Sequence, residues 1–402
     1  MSVPVPAPQS AQQNSGAPDT VDTYCRGFSC PQEPWNDSFA ELLAVEFGRG
    51  AVRAFLSRFG DELDNYSQGI KPLVGGWLAS PTDFDTVWNE AFSQTYRTAL
   101  ARDLHKARVV AATLATHLTV SGFAADWEIA FEQPLRLRWG RALLPPASRI
   151  RVSSNGLAAT VRISNSDGEQ QITLQRSRAG WETDQAEALP SFGAPHTQIV
   201  VLPQHALSPT LYGDLVAEAT PSIPPEQIEA WQASVELLAQ HAPIYLPWVQ
   251  RVFRQVFALR QVEGIRNGSY EHAFGLVYVS HYLDAVTLAE TLIHESAHQY
   301  ANLIAHLSPL SNGSDPNKYY SPAVRTMRSI DRVLIAYHAF ANVLLFYRMC
   351  LQAGAISAAD YAFHERRMID LIGPLEEPLR TSPGLTAVGR ALADPLLERT
   401  HL

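Results

Sequence analysis

Three cysteines in 402 residues are too few for a disulfide framework. Cys25, Cys30 and Cys350 form no CxxC pair, and the first two read as loop thiols. Basic clusters are missing too. Thirty-one Lys and Arg face forty Asp and Glu, a net charge of −9, and no basic stripe interrupts that balance. Nucleic acid is therefore not an expected partner. The most apolar run, 333–347, contains His338 and Asn342 and is too short to span a bilayer, so no membrane partner is expected. The N-terminus has neither a charged nor an apolar targeting segment, so no signal peptide is expected. These absences leave a reducing, cytoplasmic setting as the default.

What is present suits a globular protein. Hydrophobic residues make up 46% and charged residues 18%, enough apolar material for a sizeable core. The length allows two domains or one large elaborated domain. Residues 1–33, rich in Pro, Ser, Gln and Ala, are expected to be a disordered tail. From 37 to 118 the rhythm is helical, with apolar residues returning every three to four positions in 39–47 and 84–92. Between 125 and 203 it changes. Segments 135–139, 150–152, 158–163 and 171–174 alternate or run β-branched, and Asn155-Gly156 and Asp167-Gly168 are turn signals. Segment 198–202 reads as a further strand. Helices return at Pro224-Pro225-Glu226 and again over 245–262, while 274–279 reads as extended. Ser321-Pro322 reads as a helix start, with that helix running to about Leu351. The expected class is α+β and predominantly helical, with a small antiparallel β-sheet in the middle of the chain. Three regions follow: the tail, a helical plus β-sheet region over 34–203, and a helical metal-binding region over 204–402.

Chemistry is written most plainly at His294, Glu295 and His298, an HExxH sequence. Segment 284–304 lacks Gly and Pro, and Leu288, Leu292, Ala297 and Ile304 give it a buried stripe. On a helix, positions i and i+4 share a face, so both imidazoles can reach one divalent metal. Glu295 sits one residue round, within reach of a metal-bound water. The bland alternative is a pair of core histidines bonded to backbone or carboxylates. Glu290, four residues before His294, can orient an imidazole.

Two histidines leave a site unfinished. The metzincin continuation fails because Ala301 and Ile304 stand where Gly and His are needed. No Glu occurs between Ser296 and His364, so a gluzincin-type ligand is missing; Asp315 and Asp331 lack motif support. His306, eight residues beyond His298, lies about 12 Å along the same helix. His338, on an apolar helix, is the favoured third ligand, although a lone His there is usually a satisfied core residue.

Four segments in order, 275–280, 288–298, 319–322 and 332–343, resemble the HExxH-domain peptide-modification proteins associated with gene clusters for ribosomally made, modified peptides. The resemblance covers roughly residues 225 to 350. It implies a non-haem Fe(II), 2-oxoglutarate-dependent oxygenase that hydroxylates a β-carbon of a precursor peptide, the expected partner. The family pattern also implies an Arg for the distal carboxylate of 2-oxoglutarate. Arg328 aligns best, with Arg325 and Arg332 as alternatives. Some family members carry a His at the position of Ile335 and an aromatic at that of His338. The Trp-Arg pair common in the family is replaced here by Ala323-Val324. Glu295 is then a ligand, a neighbour of the ligands, or a base. A zinc metallopeptidase using Glu295 as base is the alternative, and a non-catalytic peptide-binding protein is a third. The β-rich segment 125–203 offers sheet edges for strand addition by a peptide.

Overall fold

The computed structural model describes residues 21–31, 38–166, 168–178, 180–194, 197–260, 266–269, 273–280 and 284–400. Helices predominate and small sheets sit among them, in agreement with the α+β expectation.

Residues 1–20 and 32–33 of the expected tail lie outside the described residues, but Val21–Ser29 is a helix. Cys25 and Cys30 are buried core thiols rather than loop thiols, and Phe28 is equally enclosed. Phe28 meets Tyr300 edge-on, with ring centroids 5.8 Å apart. The polar composition of the whole stretch hid this short core-forming piece.

Ser38–Tyr66 forms a long helix that buries Ala44, Val52, Phe55, Phe59 and Leu63 along one side. The helix expected over 84–92 is broken in two. Phe84–Val87 ends at Trp88, and Asn89 starts Glu90–Ala101 by accepting from Ala91 N at 2.9 Å. An Asn side chain that caps a new helix competes with continuing the old one.

The helix Leu104–Val120 backs a six-stranded antiparallel sheet. Its order is Ser67–Gln68, Ala125–Leu135, Ala147–Ser154, Ala158–Asn165, Gly168–Ser177 and Gly180–Glu182. Register places Ile129, Ile150 and Ile163 side by side, and Trp127, Val152, Val161 and Ile172 in a parallel row. Both rows are buried, as period-two alternation requires. Trp127 and Trp181 pin the sheet to the helix through bonds to Thr119 Oγ1 (3.2 Å) and the Val120 carbonyl (2.8 Å). Asn155 Oδ1 accepts from Leu157 N and Ala158 N, closing the hairpin with Gly156 at φ 87°.

A second, mixed sheet corrects two expectations. Its order is Ser191–Phe192, Ile199–Leu202, Gln255–Ala258, Leu276–Val279 and Asn267–Ser269, and the middle three strands are parallel. The helix read over 245–262 therefore stops at Val252 and gives way to a strand. All four residues of Gln255–Ala258 are buried, so no alternation betrays the strand in sequence. The sheet also crosses the expected boundary at 203/204, since Ile199–Leu202 pairs with Gln255–Ala258.

The C-terminal half is a bundle of Ala285–Ala305, Ile330–Gln352, Ala358–Thr381 and Ala387–Thr400. Among the described residues, Ile330–Gln352 is the one helix long and apolar enough to cross a membrane. Most of its apolar stretch, 72%, is buried inside the protein, which its packing in this bundle explains. It also starts later than the sequence suggests. Instead of a helix from Ser321-Pro322 there is a hairpin, Tyr319–Ser321 with Thr326–Arg328. Arg325 takes φ 53° in its turn.

Candidate metal centre

Asp284 caps the helix Ala285–Ala305 by accepting from Thr287 N at 2.7 Å. Two polar stripes run along the helix. Thr291, Glu295 and Gln299 face the mixed sheet: Asn267 Nδ2 donates to Thr291 Oγ1 (3.3 Å), and Gly275 N donates to Gln299 Oε1 (3.2 Å). Glu290, His294 and His298 form the neighbouring, half-buried stripe.

The two imidazoles meet. His294 Nε2 and His298 Nε2 lie 3.1 Å apart, with the rings perpendicular. Two nitrogens each about 2.1 Å from one ion, at a right or tetrahedral angle, lie roughly 3.0–3.4 Å apart. The pair is thus spaced to share an ion; in its absence the same separation lets one ring donate to the other. One ligand atom from each of His294, Glu295 and His298 falls within 4.8 Å of the others. Two imidazoles and a carboxylate are a donor set suited to a divalent transition metal, iron(II) and zinc included.

Electrostatics keep the histidines ready to bind. Burial pushes His294 down to about 4, helped by the nearby His338 and the Arg367 cation. Burial holds His298 well below the usual histidine range, helped by His294, His338 and Arg328. Both rings are neutral at physiological pH, the form that ligates metal. Glu295 is 1% exposed, and its Oε2 has no hydrogen-bond partner. Burial raises its carboxyl to about 8, with the Ser269 hydroxyl opposing the shift. An orphaned carboxylate oxygen this deep is costly unless a proton or a cation meets it.

His338 does not join the group. Its Nε2 lies 2.8 Å from the carbonyl oxygens of both Phe28 and Ser29. Asn342 Nδ2 donates to the same Ser29 oxygen at 2.8 Å, and Trp248 Nε1 donates to the Gly27 carbonyl at 3.1 Å. These side chains satisfy the last carbonyls of the helix Val21–Ser29, groups with no partner inside the helix itself. Its Nε2 is thus satisfied by backbone, while its buried Nδ1 has no hydrogen-bond partner among the described residues. Ile335, one turn earlier, has no ligand atom. Asp315 is taken by Tyr319 and Ser382, Asp331 lies 3.8 Å from Arg332, and His306 stacks on Phe47 at 4.0 Å.

Arg328 is brought close. It belongs to the hairpin rather than to the following helix, so the long separation implied by a straight helix does not apply. Its charge reaches His298, it is half-buried, and it makes no ion pair among the described residues. Arg325 is exposed in the hairpin turn.

Sequence reasoning missed four residues around this stripe. Phe340 packs on His294, centroids 4.8 Å apart. Tyr347 and Arg367 both donate to Glu290 Oε2, so this carboxylate serves them, and His364 stacks on Tyr347 at 4.2 Å. Nothing in the motif announces Arg367, which comes from a separate helix. No protein-family model matches the chain, and no curated protein matches it.

Proposed function

We propose that this protein is a non-haem Fe(II), 2-oxoglutarate-dependent oxygenase that hydroxylates a β-carbon of a ribosomally made precursor peptide. The observation that carries this reading is Arg328, a guanidinium with no ion pair among the described residues whose charge reaches His298 in a group of two histidines and Glu295. The peptide as substrate rests on the resemblance of residues 225 to 350.

Iron(II) with 2-oxoglutarate supplies oxidative hydroxylation, with dioxygen as oxidant and succinate and carbon dioxide as products. His294 and His298 would hold the ion through the Nε2 atoms that lie 3.1 Å apart. Glu295 presents its orphaned oxygen beside them, and burial keeps solvent from it. Arg328 would receive the distal carboxylate of the cosubstrate, an anion that guanidinium forks suit. Phe340 shields the His294 ring from water. Glu290, bound by Tyr347 and Arg367, keeps the Arg367 charge from being an uncompensated cation beside His294. A cytoplasmic, reducing setting suits the same reading, because the three cysteines are buried thiols outside any disulfide.

A zinc peptidase is the second reading, favoured by the unpartnered Glu295 oxygen, which is available to take a proton from a metal-bound water. Anaerobic loading with Fe(II) followed by 2-oxoglutarate separates the two. The oxygenase gives a weak visible charge-transfer band, and then succinate on admission of air. Absence of the band, together with zinc-dependent peptide cleavage, overturns the first reading.

A further inference from the structure

Away from the histidines, a cavity of about 670 Å³ opens between the six-stranded sheet, the helix Leu104–Val120 and the mixed sheet. That size suits a small-molecule site. Val109, Leu135, Leu137, Trp181 and Leu202 give it apolar walls. None of the residues around His294 and His298 lines it.

Its charges are unbalanced. Five guanidinium groups line it, those of Arg136, Arg138, Arg141, Arg176 and Arg254, against three carboxylates, Asp85, Glu90 and Glu182. Three of the arginines are paired. Arg138 meets Glu90 at 3.2 Å, Arg254 meets Asp85 at 2.6 Å, and Arg136 meets Glu187 at 3.3 Å. Glu182 accepts from Ser177 Oγ at 2.5 Å. Arg141 and Arg176 are left without an ion pair among the described residues. Arg141 has one neutral partner, Gln198 Oε1 at 2.7 Å, and its Nε is buried with no hydrogen-bond acceptor. Arg176, exposed, reaches only the Ser121 carbonyl at 3.5 Å.

A guanidinium held partly out of water with an orphaned N–H is expensive unless an anion completes it. Glu182, the one wall carboxylate outside an ion pair, is held by Ser177 and pairs with neither arginine. We propose that this cavity binds an organic anion, a carboxylate carried on an apolar body, with the charge received at Arg141 and Arg176. The carboxylate belongs either to a free acid or to an acidic side chain of a peptide segment. The arginines provide forked donors for it, and the valine, leucine and tryptophan walls bury the body. The proposal is independent of the metal site.

Calorimetric titration of the metal-free full chain tests it with three probes. These are octanoate, octanamide of the same length without the charge, and a blocked tetrapeptide alternating leucine and glutamate. Octanoate or the peptide is expected to bind at least about tenfold more tightly than octanamide. Binding of octanoate alone identifies a free acid, and of the peptide alone a peptide segment. R141Q and R176Q each weaken binding, while R136Q, whose arginine is already paired with Glu187, does not. His294→Ala binds the probe as the unmodified chain does, so loss of the oxygenase reading leaves this result standing. Octanamide matching octanoate, no binding of either charged probe, or unchanged affinity in R176Q overturns the proposal. The octanamide comparison and R176Q, at an exposed position, keep the test decisive if R141Q does not fold.

Discussion

His338 Nε2 lies 2.8 Å from the carbonyl oxygen of Ser29, joining the bundle that carries the candidate metal centre to a helix 309 residues earlier in the chain. The imidazole ends that helix instead of completing the metal site. His338→Leu is therefore expected to destabilise the fold by about 1–3 kcal/mol, the cost of buried groups left unpaired. Metal stoichiometry of the folded fraction should stay unchanged. Denaturant titration and metal analysis on the same variant check both halves, and loss of metal from a stable protein refutes the assignment.

The two nitrogens 3.1 Å apart make the opposite prediction at His294 and His298. Alanine at either position should lower metal affinity by more than about a hundredfold, beyond what loss of a ligand's neighbour costs. The fold should survive because both side chains are only half-buried. Competition with a chromogenic chelator measures the affinity, and circular dichroism the fold.

Arg328→Gln should raise the concentration of 2-oxoglutarate needed for half-saturation by about 10- to 100-fold, the value of a charged hydrogen bond of about 1.5–3 kcal/mol. Metal affinity should not move. Arg325→Gln, in the exposed hairpin turn, should change neither quantity. A titration followed through the charge-transfer band reads the cosubstrate directly.

Acid should unfold the protein through its core histidines. Burial pushes His117 and His338 down to about 4, and each faces backbone carbonyl oxygen. The unfolded chain takes up protons at about 6.5, while the native state resists until near 4. The stability contributed by these two histidines should be complete above about pH 6.5 and fall steadily between there and pH 4. Unfolding midpoints across that range test the slope, which His117→Gln should reduce.

Phe28→Ala should cost about 3–5 kcal/mol, as loss of a buried ring does in a core. Phe28 is 2% exposed between Phe39 and Tyr300. A midpoint unchanged from the parent protein would mean that the first helix is not part of the core.

Much of this was legible in the chain wherever the signal is local. Asn155-Gly156 announces its hairpin because an Asn side chain and a glycine at positive φ act within a few residues. The helix around His294 announces itself through periodicity and the lack of Gly and Pro. Gln255–Ala258 did not, because a strand buried on both faces has no alternation to read. Ser321-Pro322 misled because its residues suit a helix start, while the hairpin depends on Arg325 taking a left-handed conformation that arginine rarely adopts. His338 was unreadable for another reason: its partners lie some three hundred residues away, and only the folded chain brings them together.

The docking of Val21–Ser29 also orders events in biosynthesis. Ser29 Oγ donates to the Leu392 carbonyl at 2.7 Å, across 363 residues of chain, and Arg399 reaches the Cys30 sulfur at 3.1 Å. A ribosome that has released the first helix must add almost the whole remaining sequence before the cradle for that helix exists. Until then Phe28 and the thiols of Cys25 and Cys30 lack the cover they have in the folded protein, whose beginning is sealed by its far end.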